Sequence, residues 1–559
     1  MAPSIEVTDA NLKDMKSKAG AALKAEHLFE DADAAIPIYL ALRAYAPTDA
    51  SISEAFAKSL QALLAQGQSA LDAIDADPLS LHRAHEVGAV ARAIAPDDEA
   101  VVAYLDRLER VDLAQQANRL GEEALNADRI GETGQDGAIK RFRQALQLRP
   151  GDVRARQGLA AAESALIRRA ESAAQADDYV GAERWMQHAQ AVRPRTDTVE
   201  HARARMQLQR ALRVGDLRDQ GIRALGRANG INEARGHLAV MLRIAPSGDP
   251  ATAELRQRID LAVHYGLFRP GQVFTDALDS GGRGPQMVVV PHGAFRMGAR
   301  PGEVDATDVE RPERNVRFDR GIAMSRTEVT VGEFRRFIVS TRHRARAARR
   351  GYSTAYDERS GNLVRRGRVD WSSDYAGKPA SDNLPVVHVS AKDASAYAQW
   401  LSERSGQRYR LPSEAEFEYA LRAGTQTRFP WGEGNPPPRS GNYTGGLDVS
   451  PSGRKWQNAF PGYGDGAWGP APVGSYTPNR YGLHDLAGNV SEWVADCWHD
   501  SYRRAPDDGA AWVNPGCRIR VLRGGSWASS PAQTRSAWRL GNGADNTSAR
   551  TGFRVVREI

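Results

Sequence analysis

A single unit recurs through the first half of this chain. It reads 36-IPIYLALRAYAPTD-49, 92-RAIAPDD-98, 138-AIKRFRQALQLRPGD-152, 182-AERWMQHAQAVRPRTD-197 and 235-RGHLAVMLRIAPSGD-249. Each copy is an amphipathic helix, then a proline, then an aspartate within three residues. The prolines Pro47, Pro96, Pro150, Pro194 and Pro246 stand 44 to 54 residues apart. Proline clashes with the preceding helical turn and so stops the helix. The aspartate is placed to cap the next one. In the third copy Ala138, Phe142, Ala145 and Leu146 fall on one helical face. Such spacing predicts an all-α array of stacked helical repeats.

The array resembles tetratricopeptide repeats, although its period exceeds their usual ~34 residues. It implies a protein partner docked on the helices, or a rigid spacer with no partner of its own. His82 and His85 stand at i, i+3 on a predicted helix, a spacing that metal sites use, but no third ligand accompanies them.

Composition changes near 269-RPGQVFTDALDSGGRGPQ-286. Of the 11 tryptophans only Trp185 precedes Trp371. The second half is rich in Gly, Trp, Pro and Ser and predicts an α+β domain with little regular structure. Segments 287-MVVVP-291, 386-VVHVS-390 and 519-IRVLR-523 read as strands, and 391–406 and 412–424 as helices. Ser413 and Glu416 form a capping-box pattern, and Gly424 ends that helix. The expected organisation is a repeat domain at 1–270, a linker at 271–285 and a second domain at 286–559.

No run of apolar residues is long enough to span a bilayer, and the first twenty residues hold no apolar leader core. A net charge of +6 over 559 residues is small, and the basic excess is scattered. The densest cluster is 342-RHRARAARR-350, so nucleic-acid binding ranks last among the functions considered. Only Cys497 and Cys517 are present, which excludes a Cys-rich zinc site. They lie close enough for one disulfide, which would favour a periplasmic or cell-envelope setting. Two free thiols would fit the cytoplasm instead.

Seven ordered motifs then carry a resemblance. They are 292-HGAFRMG-298, 326-RTEVTVGEFRRFI-338, 385-PVVHVS-390, 409-YRLPSEAEFEYALRAGT-425, 481-YGLHDLAGNVSEWV-494, 521-VLRGGSW-527 and 552-GFRVV-556. This half resembles the sulfatase-modifying-factor family of formylglycine-generating enzymes. The resemblance implies a C-type-lectin-like core, a fold that hosts catalysts and binders alike. The family places a copper-binding cysteine pair two and seven residues after the aromatic residue of GGSW. Here those positions are Ser529 and Thr534, and neither hydroxyl replaces a thiolate toward Cu(I). Formylglycine generation is therefore not expected.

The resemblance further implies structural Ca²⁺, bound by hard oxygen ligands. One site would use the side chains of Asn442 and Asp465 with the carbonyls of Tyr443 and Ala467. The other would use Asp485 and Glu492 with the carbonyls of Gly488 and Val490. The expected ligand surface for a small molecule or peptide is Ser526, Trp527, Ser529, Gln533, Thr534, Arg535, Trp538 and Arg539. Arg535 and Arg539 read equally well as partners of buried carboxylates. The function expected is a non-catalytic binding or scaffold protein. The alternative is a cysteine-independent iron or copper oxidase, like the pyoverdine-maturation and sulfoxide-synthase branch of the family. His388 reads as a core histidine or, under that alternative, as an iron ligand.

Overall fold

The computed structural model describes residues 5–77, 79–131, 136–227 and 229–559. They form two compact units, Met1–Leu217 with Val240–Asp249, and Arg218–Ala239 with Pro250–Ile559.

The first half is helical. Its elements are α1 (Leu12–Lys24), α2 (Ala35–Tyr45), α3 (Ala50–Ala73), α4 (Ser80–Ile94), α5 (Glu99–Asn126), α6 (Ala138–Leu148), α7 (Val153–Gln175), α8 (Tyr179–Val192), α9 (Thr198–Leu225), α10 (Gly230–Ile244) and α11 (Pro250–Tyr265). The helices α2, α4, α6, α8 and α10 each end two residues before a repeat proline. The side chains of Asp49, Asp98 and Asp152 accept backbone N–H groups at the starts of α3, α5 and α7. Those bonds satisfy donors that a helix start otherwise leaves orphaned. Consecutive helices from α1 to α8 pack side by side. Phe142 is fully buried. A Cβ added at Gly121 or Gly158 would lie 2.8 or 2.3 Å from its ring, so the ring occupies a socket between α5 and α7. Burying such a side chain contributes about 2–3 kcal/mol.

The second half contains β1 (Val273–Phe274), β2 (Met287–Val290), β3 (Gly293–Met297), β4 (Arg314–Phe318), β5 (Ile322–Ser325), α12 (Val331–Thr341), α13 (Arg346–Arg350), β6 (Tyr352–Asp357), β7 (Asn362–Gly367), α14 (Ala391–Ser405), β8 (Tyr409–Arg410), α15 (Glu414–Arg422), β9 (Ser491–Cys497), β10 (Ile519–Arg523), β11 (Arg539–Gly543), β12 (Thr551–Gly552) and β13 (Val556–Glu558). A five-stranded sheet runs β1-β2-β5-β13-β8, and a four-stranded sheet runs β11-β10-β9-β12. Two hairpins, β3–β4 and β6–β7, complete the strands. Within 271–285, β1 pairs antiparallel with β2, and the carboxylate of Asp276 accepts the Tyr409 hydroxyl.

The segment 386–390 is not a strand, which corrects the reading of its apolar run. His388 has φ +60, and this breaks the extended backbone. The N–H groups of Val386 and His388 donate instead to the separate carbonyls of Val329 and Ser548.

Every residue of α15 is buried, although it carries Glu414, Glu416, Glu418 and Arg422. Buried charges require partners. Arg539 pairs with Glu414, Arg410 with Glu416, and both Arg422 and Arg523 with Glu418. The Ser413–Glu416 capping box forms, and Ala423 at φ 44 closes the helix just before Gly424.

Candidate functional site

The site is built around the turn between β10 and the loop that follows it. Gly524 and Gly525 have φ of +88 and +73. A Cβ on Gly524 would meet the Leu486 carbonyl at 2.5 Å, and one on Gly525 the Gln533 carbonyl at 2.7 Å. Only glycine supports this turn without strain. It delivers Ser526 and Trp527 inward.

Ser526 and Ser529 are fully buried and Trp527 nearly so. The Ser526 N–H donates to Ser529 Oγ at 2.9 Å, and the two hydroxyls lie 3.1 Å apart. Thr534, the second cysteine position, is also buried and donates to the Ser530 carbonyl. Neither position offers a thiolate. Trp527 Nε1 donates to the Ala549 carbonyl, and its ring meets Tyr356, Tyr375 and Trp456.

Of the other predicted ligand-surface residues, Arg535 donates to both Glu310 oxygens at 2.5 and 2.7 Å and to Glu303 at 2.9 Å. Arg539 donates to both Glu414 oxygens and stacks over Trp498 and Tyr502. Trp538 is buried, while Gln533 is half-buried, and its side-chain oxygen accepts the Ser530 N–H. Sequence reading missed Arg550. Its Nε donates to Ser526 Oγ at 3.0 Å and its Nη2 to Ser529 Oγ at 2.8 Å.

The oxygen-rich positions converge elsewhere in the domain. Asp465 accepts the N–H groups of Tyr443 and Ala467. Burial pushes its carboxyl up to about 7. Asn442 Nδ2 donates to the Gly469 carbonyl and to Asn489, but its buried Oδ1 has no hydrogen-bond partner. The same holds for Asp485 Oδ1 and for Oε2 of Glu328, a residue that sequence reading also missed. Asn489 Nδ2 donates to Glu328 Oε1, so Asn489 touches both Asn442 and Glu328. Burial raises the carboxyls of Glu328 and Asp485 above the ordinary range, and each lies within electrostatic reach of the other. Orphaned, buried acceptor oxygens with this donor chemistry fit a hard cation. Gly488 is in the left-handed region, and a Cβ there would meet the Asn442 carbonyl at 2.3 Å. Val490 is buried. Glu492 has both oxygens engaged by Arg554.

The histidines do not assemble. His388 is buried between Ser353 Oγ and the Asp374 carbonyl, and burial lowers it to about 4. His82 is exposed, and His85 pairs with Asp112. Among the described residues no three His, Cys, Asp or Glu side chains converge as a metal-ligating group. Cys497 and Cys517 form a disulfide. Arg346, in the basic cluster, pairs with Asp545. No described helix is long and apolar enough to cross a membrane.

Formylglycine-generating enzyme from Thermomonospora curvata is 33% identical over 311 residues, covering 49% of this chain and 93% of the relative. A mouse protein named inactive C-alpha-formylglycine-generating enzyme 2 is 33% identical over 296 residues, covering 49% and 85%. The solved structure of PvdO from Pseudomonas aeruginosa is 36% identical, with a TM-score of 0.42, covering 52% of this chain and all of that one. Residues 274–559 match the family described as sulfatase-modifying factor enzyme 1-like domain. With its glycine turn, its fully buried α15 and its motif order, this chain belongs to that family.

Proposed function

We propose that the chain is a non-catalytic binding protein. Its C-terminal domain, C-type-lectin-like in design, holds a ligand, and its tetratricopeptide-like helices dock a protein partner. The observation that carries this reading is the pair of buried hydroxyls, Ser529 and Thr534, standing where the family's catalytic thiols belong. The relative from mouse whose name calls it inactive supports it. The disulfide favours an oxidising compartment.

Structural Ca²⁺ belongs to the same proposal. Asn442 and Asp465 with the carbonyls of Tyr443 and Ala467 would form one site; at the other, Asp485 and the carbonyls of Gly488 and Val490 would be joined by Glu328 in place of Glu492, whose oxygens Arg554 occupies. A bound Ca²⁺ would supply charge compensation for the buried carboxylates and tie the loops together. Elemental analysis after exposure to calcium, iron and copper tests the reading. Ca²⁺ without transition metal supports it. Stoichiometric iron or copper with oxygen uptake would establish the cysteine-independent oxidase instead.

A further inference from the structure

Buried arginines in this domain follow a rule. Arg422, Arg523, Arg535, Arg539, Arg554 and Arg557 each meet a carboxylate. Arg550 breaks it. It is half-buried, and among the described residues no Asp or Glu lies within ion-pair distance of it. Its partners are two neutral hydroxyls, Ser526 and Ser529. Desolvation destabilises its charged form, with no compensating anion.

The cluster is rich in donors and poor in acceptors. Ser529 Oγ already accepts from the Ser526 N–H and from Arg550 Nη2. Ser526 Oγ accepts from Arg550 Nε. One hydroxyl proton can be spent between the two serines, and the other meets no acceptor among the described residues. Both Nη1 hydrogens and the second on Nη2 meet no acceptor among the described residues. A planar guanidinium with free forked donors matches an oxyanion. Beside the cluster, Trp527 contacts Tyr375 and Trp456, and Trp456 stacks on Trp468 at 4.0 Å. Tyr375, Trp456 and Trp468 are partly exposed and offer an apolar face beside the charge.

We propose that Ser526, Ser529 and Arg550 form an oxyanion-binding site that takes the carboxylate or phosphate group of the domain's ligand. This deepens the binding-protein reading and rests on it. Where the family places its first thiol, this chain places the Ser529 hydroxyl beside the Arg550 guanidinium.

Sodium benzoate, inorganic phosphate and neutral benzamide would be titrated into the full chain at constant ionic strength, following tryptophan fluorescence and thermal melting. Saturable binding of benzoate or phosphate is expected, with benzamide at least tenfold weaker. Phosphate binding alone would assign the site to phosphate, and benzoate binding alone to carboxylates. Arg550→Gln should weaken anion binding at least tenfold and melt no lower than wild type, because it removes an uncompensated cation. Equal binding of benzamide, unchanged binding by Arg550→Gln, or no saturation by either anion would overturn the proposal. If Arg550→Gln does not fold, the benzoate–benzamide contrast in wild type decides alone. Oxygen consumption is followed in the same samples. Uptake would sink the non-catalytic reading and leave the oxyanion site standing. Missing saturation without uptake would sink only the site.

Discussion

Arg554 grips Glu492 through Nε and Nη2 at 2.7 to 3.0 Å, and both side chains are fully excluded from solvent. Arg554 Nη1 and Nη2 also donate to the carbonyls of Ser325 and His484. The pair thus joins β9 to β5 and to the loop before β9. Breaking a buried pair from one side leaves an uncompensated charge, at a cost of about 3–5 kcal/mol. Arg554→Met should lower stability by that amount in urea denaturation. The double variant Arg554→Met/Glu492→Gln should recover part of the loss.

Asp496 sets a pH dependence. Its oxygens accept the N–H groups of Glu414 and Trp512. Burial, reinforced by the nearby Glu414 charge, raises its carboxyl from 3.8 to about 7. Between those values the folded protein keeps a proton that the unfolded chain releases. This contribution therefore falls as pH rises through the window and levels off above about 7. Asp496→Asn carries a constant offset but no titration. Relative to wild type it should gain about 1–3 kcal/mol between pH 4.5 and 7.5, measured by denaturation at each pH.

The disulfide closes a segment with a sequence separation of 20. A loop of that size confers about 3 kcal/mol by restricting the unfolded chain. Cys497→Ser/Cys517→Ser should lose that much in a thermal melt. Reductant should lower the wild-type melting point toward the same value.

Calcium should matter in proportion to its affinity. At a hundred times its dissociation constant, a ligand that binds only the folded state contributes about 2.7 kcal/mol. Chelation should lower the melting temperature, and calcium should restore it. Glu328→Gln should blunt that response if Glu328 is a ligand. An unchanged response would remove Glu328 from the set.

Much of the helical half was legible, because its rules are local. A proline two residues past the ends of α2, α4, α6, α8 and α10 and an aspartate cap need only the neighbouring residues. The Ser413–Glu416 box was visible for the same reason. The run at 386–390 misled because burial alone makes a segment apolar, and His388 turns the chain where a strand would run on. Glu328 and Arg550 escaped notice because their meaning lies in distant partners. Glu328 meets Asn489, 161 residues away, and Arg550 meets Ser526 and Ser529 across a loop. That Arg535 and Arg539 meet buried carboxylates was one of the two readings the sequence offered, whereas the pairing of α15 with Arg410 of β8 and Arg523 of β10 was invisible for the same reason.

Phe142 in its glycine socket acts as a spacing gauge. Helices α5 and α7 approach only as closely as one phenyl ring allows, and Gly121 and Gly158 are the residues that let them do so. A methyl group at either position would wedge the ring and tilt the next helix. The distance between α5 and α7 is thus written in two hydrogen atoms, those standing where a Cβ would be.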